Sequence, residues 1–204
     1  MILQLAGFCV LIALLELDTT YVGQFLISRP LFIGTIIGAL TGNLFLGLQV
    51  GIFTELIYID YMPIGGSIPP SGTITAALTL LMNYFFKMDI YFAFFVGIVC
   101  GQMFAFLERY LRNKRGKILE KIEKKLVEMK TTPGKIIFNS ILTEFIAVFV
   151  FVALSMIVFG PLFAYLHQDI SEKVHVAFKF AYYVVPWVGL CGLLLSFSTK
   201  PKED

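Results

Sequence analysis

The chain has 204 residues, 58% of them hydrophobic and only 15% charged, with a formal net charge of +2 and a mean hydropathy of +0.84. That balance excludes an ordinary soluble domain and an unfolded polar chain, and describes a membrane protein. The three cysteines, Cys9, Cys100 and Cys191, are odd in number and lie inside apolar stretches, which argues against a disulfide framework.

In chain order, Met1 to Leu15 is apolar and runs on into Glu16 and Asp18, and the first positive side chain is Arg29. The segment lacks the basic start and small-residue cleavage site of a signal peptide, so it reads as a retained helix. Leu31 to Thr54, Ile90 to Leu107, Phe145 to His167 and Phe180 to Thr199 carry no formal charge, and each approaches or exceeds the roughly 20 residues that a bilayer-spanning helix needs. Within the first of these, Gly34, Gly38 and Gly42 recur every fourth residue, which places them on one helical face and lets a second helix approach closely.

Glu55 and Asp60 interrupt this apolar sequence. A carboxylate in such a setting is costly and usually faces a polar cavity or a partner. Asp60, beside Tyr61 and Pro63, also fits a simple emergence into the interface, so Glu55 is the stronger candidate. The stretch "GGSIPPSGT", residues 65 to 73, cannot continue a helix, and Thr73 to Phe86 is apolar but short for a span. A broken, re-entrant element accounts for both facts, because non-helical backbone at membrane depth survives only where protein or a wet cavity satisfies it. Transporters build substrate sites from such breaks. Backbone amides and the hydroxyls of Ser67, Ser71 and Thr73, set beside Glu55, suit a neutral polyol, with Tyr58 or Tyr61 available to cover an apolar sugar face. A plain interfacial turn is the competing reading.

From Glu108 to Lys135 the sequence holds ten Lys or Arg and four Glu, a basic excess that marks the cytoplasmic side. Leu111, Ile118, Ile122, Leu126 and Met129 recur at helical intervals, so the arm is predicted to be an amphipathic helix. It either lies at the headgroups or docks a partner, and Thr132, Pro133 and Gly134 are predicted to end it. Nucleic acid is a poor partner for it, since glutamates alternate with the basic residues and Tyr110 is its only aromatic. The chain thus divides into an N-terminal membrane region, 1–107, which holds the proposed site, an arm, 108–135, and a C-terminal membrane region, 136–204. Two further crossings return the chain to the cytoplasm and leave "HQDISEKVH" outside, with His167 and His175 as solvated loop residues. Cys and His do not cluster at ligand spacing, so neither a metal nor a cofactor is expected. The fold class expected is an all-α polytopic membrane protein with spanning helices, broken or re-entrant elements and a cytoplasmic amphipathic arm.

The run "RPLFIGTIIGALTGNLFLGLQVGIFTELIYIDYMPIGGSIPPSG", Arg29 to Gly72, covers 44 of the 204 residues. It resembles the membrane subunit IIC of the mannose/sorbose class of bacterial phosphotransferase sugar transporters. The likeness lies in the Arg-Pro-Leu start, the glycine-rich helix, the Gly-x-x-x-Glu-Leu stretch and the Ile-Gly-x-x-Ile-Pro-Pro loop. Upstream, "ELDTTYVGQFLISRP" resembles the family's Leu-Asp stretch, and the basic arm has a family counterpart. The resemblance implies a multi-pass protein of the bacterial inner membrane that binds a hexose or amino sugar and carries it inward by a rigid-body movement. It implies a IID membrane partner, cytoplasmic IIA and IIB subunits that carry the phosphohistidines, and a homo-oligomer of IIC–IID units. No phosphoryl-carrying residue is then expected on this chain. Carried over by position, Glu55 belongs to the site, Gly65, Gly66, Pro69 and Pro70 shape its loop, and Asp18 and Gln24 join it from upstream. Two positions depart from the family pattern: Ser71 stands where Asp usually follows the prolines, and Asn43 where Gly-Asp is common. Each exchanges a carboxylate for a neutral group.

Other classes stay open on sequence alone. The substrate-binding subunit of an energy-coupling vitamin importer has similar size and hydropathy and would copurify with an ATPase pair. An intramembrane enzyme would need a Gly-x-Ser-x-Gly elbow or a His-Glu-x-x-His, and neither occurs. A scaffold subunit with a decayed site would keep its partner and lose the sugar response.

Overall fold

The computed structural model describes residues 2–19, 21–59, 68–127 and 133–198, with side chains described for all of these but 117–127, 133 and 196–198. Among the described residues every regular element is helical: α1 (Ile2–Glu16), α2 (Pro30–Leu40), α3 (Leu44–Ile57), α4 (Gly72–Phe86), α5 (Ile90–Val127), α6 (Pro133–Leu154), α7 (Gly160–Asp169) and α8 (Glu172–Ser198). Among the described residues four stretches are long and apolar enough to cross a membrane: Ile2–Thr19, Ile90–Gly116, Gly134–Asp169 and Glu172–Leu195. The protein is an all-α polytopic membrane protein.

The charge-free stretch Leu31 to Thr54 does not form one span. It folds into two short antiparallel helices, α2 and α3, of 11 and 14 residues, which rise only about 16–21 Å against a hydrocarbon core of about 30 Å. Thr41 and Gly42 make the turn, and Gly42 adopts φ +81° there. Gly34 and Gly38 meet Gly47 and Gly51 so closely that a Cβ at any of the four would strike backbone. The glycine face expected for a neighbouring helix therefore serves the hairpin itself, with Gly42 as its turn residue. Thr35 and Thr41 return their hydroxyls to the Leu31 and Ile37 carbonyls at 2.7 and 2.8 Å, which hides these polar groups on the helix that carries them.

α4 is the best-buried helix, with every residue from Thr73 to Met82 enclosed. Ser71 caps it by accepting from Ile74 N–H at 3.2 Å. Lys87, at φ +53°, ends it, and Asn83 Nδ2 donates to the Met88 carbonyl at 2.7 Å across the link to α5. Thr75 and Thr79 bond back to the Ser71 and Thr75 carbonyls, and Gly101 and Gly97 of α5 lie against those two threonines with no room for a Cβ. α4 and α5 therefore pack closely along a seam of small residues.

The basic segment from Glu108 is not a separate helix. It continues α5 unbroken for 38 residues, about 57 Å, so the 107/108 boundary falls inside one rod. Arg115 Nη1 reaches Glu144 Oε2 on α6 at 2.9 Å, and its guanidinium lies 5.3 Å from the Tyr21 ring. Of the residues predicted to end the arm, Thr132 lies outside the described residues, and Pro133 and Gly134 open α6, where a first-turn proline gives up no helical hydrogen bond. α6 runs into α7 through a π segment, Ser155–Phe159. Pro161 can give no hydrogen bond back to Ile157, and a wider local turn accommodates it. Only Ile170 and Ser171 separate α7 from α8, so His167 and His175 stand on helices and not in a solvated loop.

Candidate functional site

The non-helical stretch that matters most for the site precedes α2. Between the short helical turn Leu17–Thr19 and Pro30, the chain folds around Asp18, whose Oδ1 accepts from Phe25 N–H at 2.8 Å and Oδ2 from Ser28 N–H at 3.3 Å. Gly23, Gln24 and Leu26 all take positive φ, at 81°, 55° and 66°. For the non-glycine residues such a backbone costs about 1–2 kcal/mol each, and the buried Asp18 carboxylate offsets that cost by holding two amides. Asp18 is thus occupied by the loop it organises. Gln24 lies on the exposed side of the same loop.

Four more contacts join this loop and the ends of the short helices to one another. Thr73 Oγ1 donates to the Ser28 carbonyl at 2.6 Å. Arg29 Nη1 lies 3.5 Å from Glu55 Oε2. Pro30 rests on Gly72, and Tyr58 Oη is 3.1 Å from Thr75 Oγ1. The start of α2, the end of α3 and the start of α4 therefore converge. The depth of this junction follows from α5: Ser71 N–H donates to the Gly101 carbonyl at 3.3 Å, and Gly101 lies 11 residues into α5, about 17 Å along it. For a helix that enters the hydrocarbon at Ile90, that is near the middle of a core about 30 Å thick.

Glu16, which the sequence offered only as the end of an apolar run, is buried in the same junction. Ser71 Oγ donates to its Oε1 at 3.1 Å, the Thr73 hydroxyl lies beside the same carboxylate, and Glu108 and Glu144 stand within electrostatic reach of it. This arrangement gives Ser71 a physical role. A hydroxyl both caps α4 and donates to Glu16, whereas an aspartate at 71 would cap but face a second carboxylate. The signal available in the sequence was a glutamate directly after an apolar run; its partner lies 55 residues away.

The fold thus brings Asp18, Glu55, Ser71 and Thr73 to one region, and no hydrogen bond or ion pair among the described residues joins Gln24 to them. Pro69 and Pro70 lead into it outside any helix, just before α4. Ser67, Gly65 and Gly66, with Asp60 and Tyr61, lie outside the described residues. Asn43 is elsewhere: it caps α3 by accepting from Leu46 N–H at 3.2 Å, at the turn end of the hairpin, about 18 Å along α3 from Glu55. The Glu55 side chain retains 29% of its exposure, so a ligand can reach it. Glu16 is closed off.

The family described as "PTS system sorbose-specific iic component" matches residues 2–201. No curated protein matches the chain.

Proposed function

The chain belongs to the sorbose-specific IIC family of the sugar phosphotransferase system, and from that premise we propose that the mid-depth junction around Glu55 binds the sugar and that this subunit carries it across the membrane. The observation that carries the reading is the reachable Glu55 carboxylate among the ends of three helices too short to cross. The start of α4 leaves backbone donors and the end of α3 leaves carbonyl acceptors that no helix satisfies, and a hydroxyl-rich ligand needs both donors and acceptors. Glu55 supplies the strongest acceptor, Arg29 and the first amides of α4 supply donors, and the hydroxyls at 71 and 73 set the shape of the α4 end. The tight hairpin and the seam of α4 with α5 favour movement of this region as a block.

Membership in the family implies association with other phosphotransferase components in a membrane. The partners proposed are a IID membrane subunit and cytoplasmic IIA and IIB carriers, in the inner membrane of a bacterium, with copies of the IIC–IID unit assembling together. Phosphoryl transfer is assigned to those carriers, because both histidines of this chain sit about 30 Å along α5 from the basic arm.

The test is calorimetric titration of hexoses and amino sugars into the purified chain, alone and with any membrane subunit that copurifies. One sugar is expected to bind, and Glu55→Gln to weaken it by about ten- to a hundredfold, the loss of a hydrogen bond to a charged group at about 1.5–3 kcal/mol. An unchanged affinity in a folded Glu55→Gln protein would remove Glu55 from the site.

A further inference from the structure

We propose that Asp89, His167 and His175 form a transition-metal site, suited to Zn²⁺, at the face of the protein opposite the basic arm. Three separate elements meet there: the α4–α5 link supplies Asp89, the last turn of α7 His167, and the first turn of α8 His175. One ligand atom from each lies within 4.8 Å of the other two. Asp89 Oδ2 stands 3.9 Å from His175 Nδ1. Asp89 N–H donates to His167 Nε2 at 3.3 Å, a hydrogen bond that a metal taking this lone pair would displace. The two imidazoles meet edge to face at 4.7 Å between centroids. Phe92 backs His167 at 5.5 Å and is itself held by Phe163 and Phe178, so the cluster rests on a packed apolar floor.

The donor set selects the ion. Two imidazoles and one carboxylate suit Zn²⁺ or its neighbours, whereas Mg²⁺ and Ca²⁺ prefer oxygen alone. Ligand bonds of about 2.0–2.2 Å require the three atoms to close to roughly 3.5 Å from one another, a shift of about an ångström that side-chain torsions can provide. The Asp89 and His175 side chains are 33% and 29% exposed, which leaves water access for the fourth position of a tetrahedral ion. Bound there, the metal would clasp the α7–α8 hairpin to the head of the α4–α5 pair. The spacing in sequence concealed this, because Asp89 precedes His167 by 78 residues.

The experiment uses the full chain without a polyhistidine tag, stripped with chelator in detergent, its cysteines alkylated, and dialysed against ZnCl₂ with excess Mg²⁺. Saturable binding of a single Zn²⁺ is expected, together with a rise in melting temperature. His167→Gln and His175→Gln are each expected to weaken binding at least tenfold while gel filtration and helical circular dichroism stay unchanged. The two substitutions lie on different helices, so either one that folds decides the matter. No saturable binding, displacement by Mg²⁺, or wild-type affinity in a folded histidine variant would overturn the site and leave His175 and Asp89 as an ordinary polar contact.

Discussion

Ser71 is the residue at which resemblance and physics pull apart. The family pattern favours an aspartate after the two prolines, and a serine there reads as loss of a functional carboxylate. The structure supplies a different reason, since Ser71 Oγ accepts from Ile74 N–H and donates to Oε1 of the buried Glu16. Ser71→Ala is expected to lower stability by about 1–3 kcal/mol through a lost cap and a lost buried partner. Ser71→Asp keeps the cap but sets a second carboxylate against Glu16, so it is expected to lower the melting temperature further. Adding Glu16→Gln should restore it, because an amide can donate to the new aspartate. Thermal melts of the three variants check this, and a fully stable Ser71→Asp single variant would show that Glu16 and residue 71 are not coupled.

At the scale of elements, long uninterrupted spans were legible in the sequence and the short broken helices were legible only in part. Ile90 to Leu107 and Phe145 to His167 fall inside spanning helices because apolar length alone determines such elements in lipid. Leu31 to Thr54 has the same composition, yet its glycines let the chain turn at Thr41–Gly42 and pack against itself. Spacing placed Gly34 and Gly38 on a contact face but could not say which helix they contact. Alanine substitutions separate these roles. Gly38→Ala places a Cβ 2.8 Å from the Gly47 Cα and 2.9 Å from the Asn43 carbonyl, and should open the hairpin and lower the melting temperature by several degrees. Gly42→Ala has space around it but a φ of +81°, and should lose about 1 kcal/mol from backbone strain alone. Gly7→Ala on α1 has neither constraint and should be neutral or slightly stabilising. Equal losses in all three would defeat this account. Among the site residues, Glu55 was legible as an isolated carboxylate in apolar sequence. The loop around Asp18 was not, because its positive φ values at Gln24 and Leu26 arise from hydrogen bonds formed only after folding.

Across the whole molecule, the arm is joined to the membrane region by charge as well as by the continuity of α5. Charge pattern alone placed the basic segment at a membrane surface or on a partner, but its base turns inward. Arg115 and Glu144 pair at 2.9 Å with side-chain exposures of 18% and 5%, Arg112 pairs with Glu108 within α5, and Arg115 also covers Tyr21 at the start of the Asp18 loop. A displacement of the arm would therefore act on α6 and on the loop that borders the proposed sugar site. Removing one partner of a buried pair strands the other, at a cost of about 3–5 kcal/mol. Arg115→Ala should consequently destabilise the protein more than Glu144→Gln, which leaves Arg115 able to reach water and retain its contact with Tyr21. The charge-swapped double variant, Arg115→Glu with Glu144→Arg, should recover part of the loss and show a favourable coupling in a double-mutant cycle. If the arm transmits to the site, Arg115→Ala in the folded fraction should also weaken sugar binding although it touches no ligand. Wild-type affinity there, with stability reduced, would confine the pair to holding α5 on α6.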